Sequence, residues 1–114
     1  MNALKNRVQL IGNLGAAPEV KTVTNGRKMA RFSMATNEFY LNAKGEKVED
    51  TQWHLIVAWG KAAEIAEKLL DKGSEVAIDG KLVSRTYTDK DGAKKYITEV
   101  EMNEFLLLGG KASA

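Results

Sequence analysis

The sequence predicts a mainly β domain, a five-stranded, partly open barrel with one α-helix between its third and fourth main strands. Three observations predict it. Five stretches alternate apolar and polar residues with a period of two or are rich in β-branched and aromatic residues, as half-buried strands are. One segment alone, Lys61 to Lys72, changes to a helical period, with Ala62, Ile65, Ala66 and Leu69 at i, i+3, i+4 and i+7. The length of 114 residues, 44% of them hydrophobic, is enough for one buried core and too little for two.

The elements follow in order. Leu4 to Asn13 sets Val8 and Leu10 on one parity and Lys5, Arg7 and Gln9 on the other. Gly12, Gly15 and Pro18 punctuate its end. Glu19 to Thr24 is a short β-prone run, and Asn25-Gly26 after it is a strong hairpin signal. Lys28 to Thr36 returns as a strand, with Ala30, Phe32 and Met34 on one face and Met29, Arg31 and Ser33 on the other. Asn37 to Asp50 is polar around Gly45 and reads as a long loop or a flexible hairpin.

Thr51 to Trp59 is the next strand, and the helix comes after it, bracketed by Gly60 and Gly73. Gly73 suits the left-handed position that ends a helix. Glu64 suits its positive end and Lys68 and Lys72 its negative end; Glu64 and Lys68 also form an i,i+4 pair. Ser74 to Thr88 alternates again, with Val76, Ile78 and Leu82 against Glu75, Asp79, Lys81, Arg85 and Tyr87. The turn Asp89-Lys90-Asp91-Gly92 leads to the last strand, Lys95 to Leu108, where Tyr96, Thr98, Val100 and Met102 face one way. Five strands with one inserted helix is the pattern of the OB-fold, a small barrel that binds oligonucleotides or oligosaccharides. Fold alone does not give function.

Composition removes several classes of function. Without cysteine there is no disulfide, thiolate metal site or thiol nucleophile, and the single histidine, His54, rules out a multi-histidine zinc site. No apolar run approaches the roughly 18 residues of a membrane span, and the N-terminus carries neither a signal-peptide core nor a transit peptide. The expectation is a soluble, cytoplasmic, nucleoid-associated protein with no membrane partner, an organellar or phage origin being left open. There is no Gly-rich phosphate loop, no serine paired with His54, and the carboxylates stand mostly beside lysines as a solvated surface. His54, between Trp53 and Leu55, reads as a hydrogen-bonded residue at a core edge or subunit contact rather than a catalyst. No enzyme activity, metal or cofactor is expected.

Charge and aromatics say more. Residues 1–36 carry six basic residues against Glu19 alone, a basic third that fits a polyanion partner or a solvated strand face. Trp53 and Trp59 share a strand face with Leu55 and Val57 between them, and Lys81, Arg85 and Tyr87 share another. Tyr40 stands in polar surroundings with little core to join. Aromatics among Lys and Arg suit single-stranded nucleic acid, since bases stack on flat rings and phosphates need cations at similar spacing. The two tryptophans equally suit a core or a protein interface.

The ordered motifs resemble the bacterial-type single-stranded DNA-binding protein family. They are Val8-Gln9-Leu10-Ile11-Gly12-Asn13-Leu14-Gly15 with Pro18-Glu19-Val20, then Trp53-His54 through Gly60-Lys61 to Ala63-Glu64 and Lys72-Gly73. Gly80-Lys81-Leu82 follows, then Tyr87-Thr88-Asp89 through Gly92 to Tyr96 and Thr98-Glu99-Val100. The resemblance spans Asn6 to about Glu101 and implies a homotetrameric OB-fold that wraps single strands in replication, recombination and repair. It maps base stacking onto Tyr40, Trp53, Trp59 and Tyr87. Arg7 and Lys61 lie inside its motifs as phosphate contacts, and Lys72, Lys81 and Arg85 complete the basic candidates. Leu55 stands where the family often has arginine, which removes one phosphate contact. The resemblance also places His54 near a subunit contact.

Family members usually continue into a flexible tail with an acidic tip that recruits partner proteins. The sequence given ends Gly109-Gly110-Lys111-Ala112-Ser113-Ala114. The expected division is a binding domain over 1–109 and a short flexible end over 110–114, with no acidic tail and no claim to its partners. The leading function is sequence-tolerant binding and protection of single-stranded DNA. A short replication-restart accessory protein of the same fold, a protein-assembly module and an oligosaccharide-binding barrel are the other readings.

Overall fold

A computed structural model describes residues 5–23 and 26–109. Its elements run β1 (Val8–Leu14), β2 (Glu19–Thr22), β3 (Lys28–Leu41), β4 (Lys47–Trp59), α1 (Lys61–Leu69), β5 (Glu75–Thr88) and β6 (Lys94–Gly109). The sheet order is β1-β5-β6-β4-β3-β2, and a further pairing of β1 with β3, at Asn13↔Ala35 and Leu14↔Met34, closes it into a barrel. β2 lies on the same edge of β3 as β1, so the two act as one strand interrupted around Pro18. β1, β3, β4, β5 and β6 are therefore the five staves. The helix falls between the third and fourth of them, or between the fourth and fifth strands when β2 is counted.

The period-two pattern decides what lies inside. Phe32 and Met34 of β3, Ile56 and Ala58 of β4, Val76 and Ile78 of β5, and Val100 and Met102 of β6 point inward and are buried. A Cβ on Gly12 would overlap the Ala35 carbonyl, so glycine there lets β1 approach β3 closely enough to close the barrel. β4 and β6 are parallel, joined at Ile56↔Val100 and Val57↔Glu101, while the other staves pair antiparallel.

The helix buries only part of the expected stripe: Ala66 is in the core and Ala62 packs against it, but the bulky Ile65 and Leu69 are not buried. Ala63 is inside with Ala66, as is Leu70 just past the helix end. Both stripes satisfy the helical period. The alanine stripe has less bulk and lets the helix axis lie closer to the strands. The helix stops at Leu69, short of Lys72. Gly73 does take a positive φ, but in the following turn, where its N–H donates to the Leu14 carbonyl.

The polar stretch from Asn37 to Asp50 is a hairpin rather than a long loop. β3 continues to Leu41, β4 starts at Lys47, and the pairing is regular from Met29↔Trp59 to Leu41↔Lys47. The Asn42 side-chain Oδ1 closes the turn by accepting the N–H groups of Lys44 and Glu46. Polar residues occupy both faces of this ribbon because it extends past the core. In the earlier hairpin Gly26 has the expected positive φ, while Asn25 lies outside the described residues, as do 110–114.

Candidate nucleic-acid interface

Alternation with buried Ile56 and Ala58 places Trp53, Leu55, Val57 and Trp59 on the outer face of β4. The shared face read from the sequence is therefore the outer face of the barrel wall, on which Trp53 is exposed, Leu55 and Trp59 are half-buried and Val57 is buried. Trp53 pairs with Ala35 across the ladder and is 62% exposed. Its ring lies over the end of β1, where a Cβ on Gly15 would stand 2.7 Å from Cζ3. Trp59 pairs with Met29 and is half-buried, and the Arg27 guanidinium carbon lies 4.8 Å from its ring centroid. Such a contact, made by an exposed guanidinium, contributes about 0.5–1 kcal/mol.

The outer face continues across the sheet. Arg31 of β3, Val57 of β4, Glu101 of β6 and Lys81 of β5 form one cross-strand row. Along β5, Lys81, Val83, Arg85 and Tyr87 share this face as the alternation predicts, with Tyr87 half-exposed opposite Lys95. A groove on this face is lined by Trp59 together with Lys21, Arg31 and Arg85 and with the carboxylates Glu99 and Glu101.

The basic candidates divide by partner. Arg85 donates from Nε and Nη2 to the two carboxylate oxygens of Glu99, each at 3.0 Å. Glu99 is only 6% exposed. The hydrogen bond to Glu99, then its negative charge, raises the Arg85 pKa above its ordinary value, against a small opposing effect of burial. Half of the Arg85 side chain still faces solvent, and a guanidinium has five donors. Arg7 is paired with Asp79 at 2.8 Å. Lys61, Lys72 and Lys81 are exposed and form no ion pair among the described residues. Lys61 directly follows the Trp59-Gly60 corner, and Lys72 adjoins Gly73, which is bonded to Leu14 beside the Trp53 ring.

Tyr40 is exposed but stands on the opposite face of the β3–β4 ribbon from Trp53, since Ala35 pairs with Trp53 and alternation runs unbroken to the turn. Phe39 occupies the Trp53 face, exposed, with the Lys47 ammonium 4.5 Å from its ring centroid. Phe39, Arg27 and Arg31 were not among the expected site residues. Only the ladder register distinguishes Phe39 from its neighbour. The signal for Arg27 and Arg31 was the basic N-terminal third. The buried Arg31 Nε has no hydrogen-bond partner among the described residues. His54 is half-buried, with Nε2 3.0 Å from the Thr36 hydroxyl, on the opposite strand face from Trp53. Among the described residues, no group of three His, Asp or Glu side chains converges as a metal site.

Comparisons with known proteins bear on the family and the fold. The model of the single-strand binding protein family matches residues 5–108. Single-stranded DNA-binding protein 1 of Chlorobaculum tepidum is 43% identical over 95% of this chain and 67% of its own length. The single-stranded DNA-binding protein of Neisseria meningitidis is 42% identical over 93% of this chain, which spans only 61% of that protein. Among solved structures, a Plasmodium falciparum SSB in complex with ssDNA superposes with a TM-score of 0.83 at 33% identity, covering 90% of this chain and 94% of that one. A variant of the Thermus aquaticus single-stranded DNA-binding protein gives 0.80 at 30% identity, over 92% of this chain and 51% of that one.

Proposed function

The chain belongs to the single-strand binding protein family, and we propose that it holds single-stranded DNA on the outer barrel face without reading its sequence. One observation carries the reading: an outward, uncovered Trp53 on a face that also bears Trp59, Tyr87 and the unpaired Lys81. Rings stack on any base, and the cations meet the backbone. The chain is a binder rather than an enzyme, and its place is in replication, recombination and repair.

Stacking is assigned to Trp53, Trp59 and Tyr87, with Tyr40 reaching DNA only where a strand passes over the reverse face of the ribbon. Lys61, Lys72 and Lys81 are the readiest phosphate contacts because their charges are uncompensated. Arg7 and Arg85 act from within ion pairs.

Self-association into a tetramer is part of this reading. β1 pairs with β5 from Val8 to Asn13, but with β3 only at Asn13 and Leu14. The other edge of Val8 to Gly12 is thus unpaired among the described residues, and a second copy can add to it. Beside that edge, Ile11 and Leu106, 61% and 64% exposed, flank Ala77 in one row. His54 contributes to assembly in the family resemblance. No described helix is long and apolar enough to cross a membrane, which fits a cytoplasmic, nucleoid-associated protein.

Titration of intrinsic tryptophan fluorescence with oligothymidine tests the function. The expected result is quenching that saturates at a fixed nucleotide count per chain and weakens as salt rises. No binding at low salt defeats the reading. Light scattering over a dilution series tests the assembly, and a monomer mass at every concentration removes it.

A further inference from the structure

Two tryptophans share the binding face, but only Trp53 presents an open ring. Trp59 is covered by a cation of its own chain. Two backbone hydrogen bonds flank the arrangement. The Val23 N–H donates to the Arg27 carbonyl at 2.8 Å across the turn after β2, and the Gly60 N–H donates to the Lys28 carbonyl at 2.8 Å, pinning the end of β4 beside it. The Arg27 side chain alone bridges the gap, with its guanidinium carbon 4.8 Å from the Trp59 centroid. Arg27 is exposed and forms no ion pair among the described residues. The groove beside the Trp59 ring is lined by Lys21, Arg31 and Arg85 together with Glu99 and Glu101, so its basic residues outnumber its acidic ones by three to two.

Two ligands therefore compete for the Trp59 face. A base stacked on an aromatic ring is worth more than the contact of an exposed cation with one. A guanidinium displaced by a base does not go unpaired, because the nucleotide that displaces it brings a phosphate, and guanidinium binds phosphate through charge-assisted, frequently bidentate bonds. We propose that Arg27 is a DNA-contact residue of this chain: its guanidinium rests on Trp59 in the free protein, yields the ring to a base, and takes the phosphate of the entering strand. The proposal rests on the single-stranded DNA reading. It adds a residue that neither the motifs nor the strand alternation singled out.

The test uses the full chain with Trp53→Phe, in which Trp59 is the sole tryptophan, since the sequence contains two. Oligothymidine is titrated at several salt concentrations, with Arg27 intact, with Arg27→Ala and with Arg27→Lys. With Arg27 in place, Trp59 emission is expected to fall on binding. Arg27→Ala is expected to make the log–log salt slope shallower by about 0.7, the value for one phosphate on a single strand, while Trp59 quenching persists or deepens. Arg27→Lys is expected to restore the slope. An unchanged slope in Arg27→Ala overturns the proposal, as does binding that leaves Trp59 emission untouched or a slope that Arg27→Lys fails to restore. If the unmutated chain does not bind oligothymidine, it is the underlying reading that fails, and that result appears before any Arg27 variant is made.

Discussion

The Trp53 ring lies over Gly15 so closely that a single methyl group at residue 15 would stand 2.7 Å from Cζ3 and 3.1 Å from Cη2. The bare α-carbon at the end of β1 is thus part of the seat that orients an aromatic on β4. Because Trp53 is exposed, Gly15→Ala is expected to tilt the ring at little cost to folding, about 1 kcal/mol or less. Trp53→Ala is expected to lose about 1–3 kcal/mol of binding to any sequence. Gly15→Ala should lose a smaller part of the same energy, and nothing further once Trp53 is alanine. Equal losses from Gly15→Ala in both backgrounds of this double-mutant cycle would uncouple the two residues.

Register on the β3–β4 ribbon separates two adjacent aromatics. Phe39 shares the Trp53 face and Tyr40 does not. Phe39→Ala is expected to weaken oligothymidine binding by about 1 kcal/mol, at the low end for one stacked base, and Tyr40→Ala by less. The reverse order would mean that the strand crosses the ribbon on its other face.

Lys61 bears an uncompensated charge at the corner after Trp59. Lys61→Ala should make the salt slope shallower by up to about 0.7 and leave the urea midpoint unchanged. A parallel drop in affinity at every salt concentration, with the slope intact, contradicts a phosphate contact.

Arg85 behaves differently because it neutralises a buried carboxylate. Arg85→Ala leaves Glu99, whose side chain is 7% exposed, without its two donors. The expected cost is about 1–2 kcal/mol of folding stability, the lower part of the range for an orphaned buried acceptor, because solvent reaches the guanidinium side. Urea denaturation measures it as a fall in midpoint. Arg85→Lys should recover only part, since an ammonium cannot make the paired contact. Unchanged stability with a shallower salt slope would instead make Arg85 chiefly a phosphate ligand.

The sequence by itself determined the barrel, its single helix and which residues share a face of β4 and of β5, because strand and helix periods are local; that the Trp53 face points outward was decided by the burial of Ile56 and Ala58 in the barrel. The same local period put Trp53 and Trp59 on one strand face and Lys81, Arg85 and Tyr87 on one face of the next strand. The rest depends on which strand lies beside which. Alternation places Phe39 and Tyr40 on opposite faces but cannot say which face Trp53 shares; the pairing of Ala35 with Trp53 decides that. The helical period allows Ile65 and Leu69 or Ala63 and Ala66 to be buried, and the distance between helix and barrel chooses the alanines. Basic residues look alike in a sequence, yet Arg7 and Arg85 meet carboxylates from distant positions, Arg27 meets a ring, and Lys61, Lys72 and Lys81 remain unpaired. Charge and stacking act over a few ångströms through space: strand pairing brings Glu99 to Arg85 across β5–β6 and Trp59 to Arg27 beside β3–β4, and the closure of β1 onto β3 brings Gly15 to Trp53.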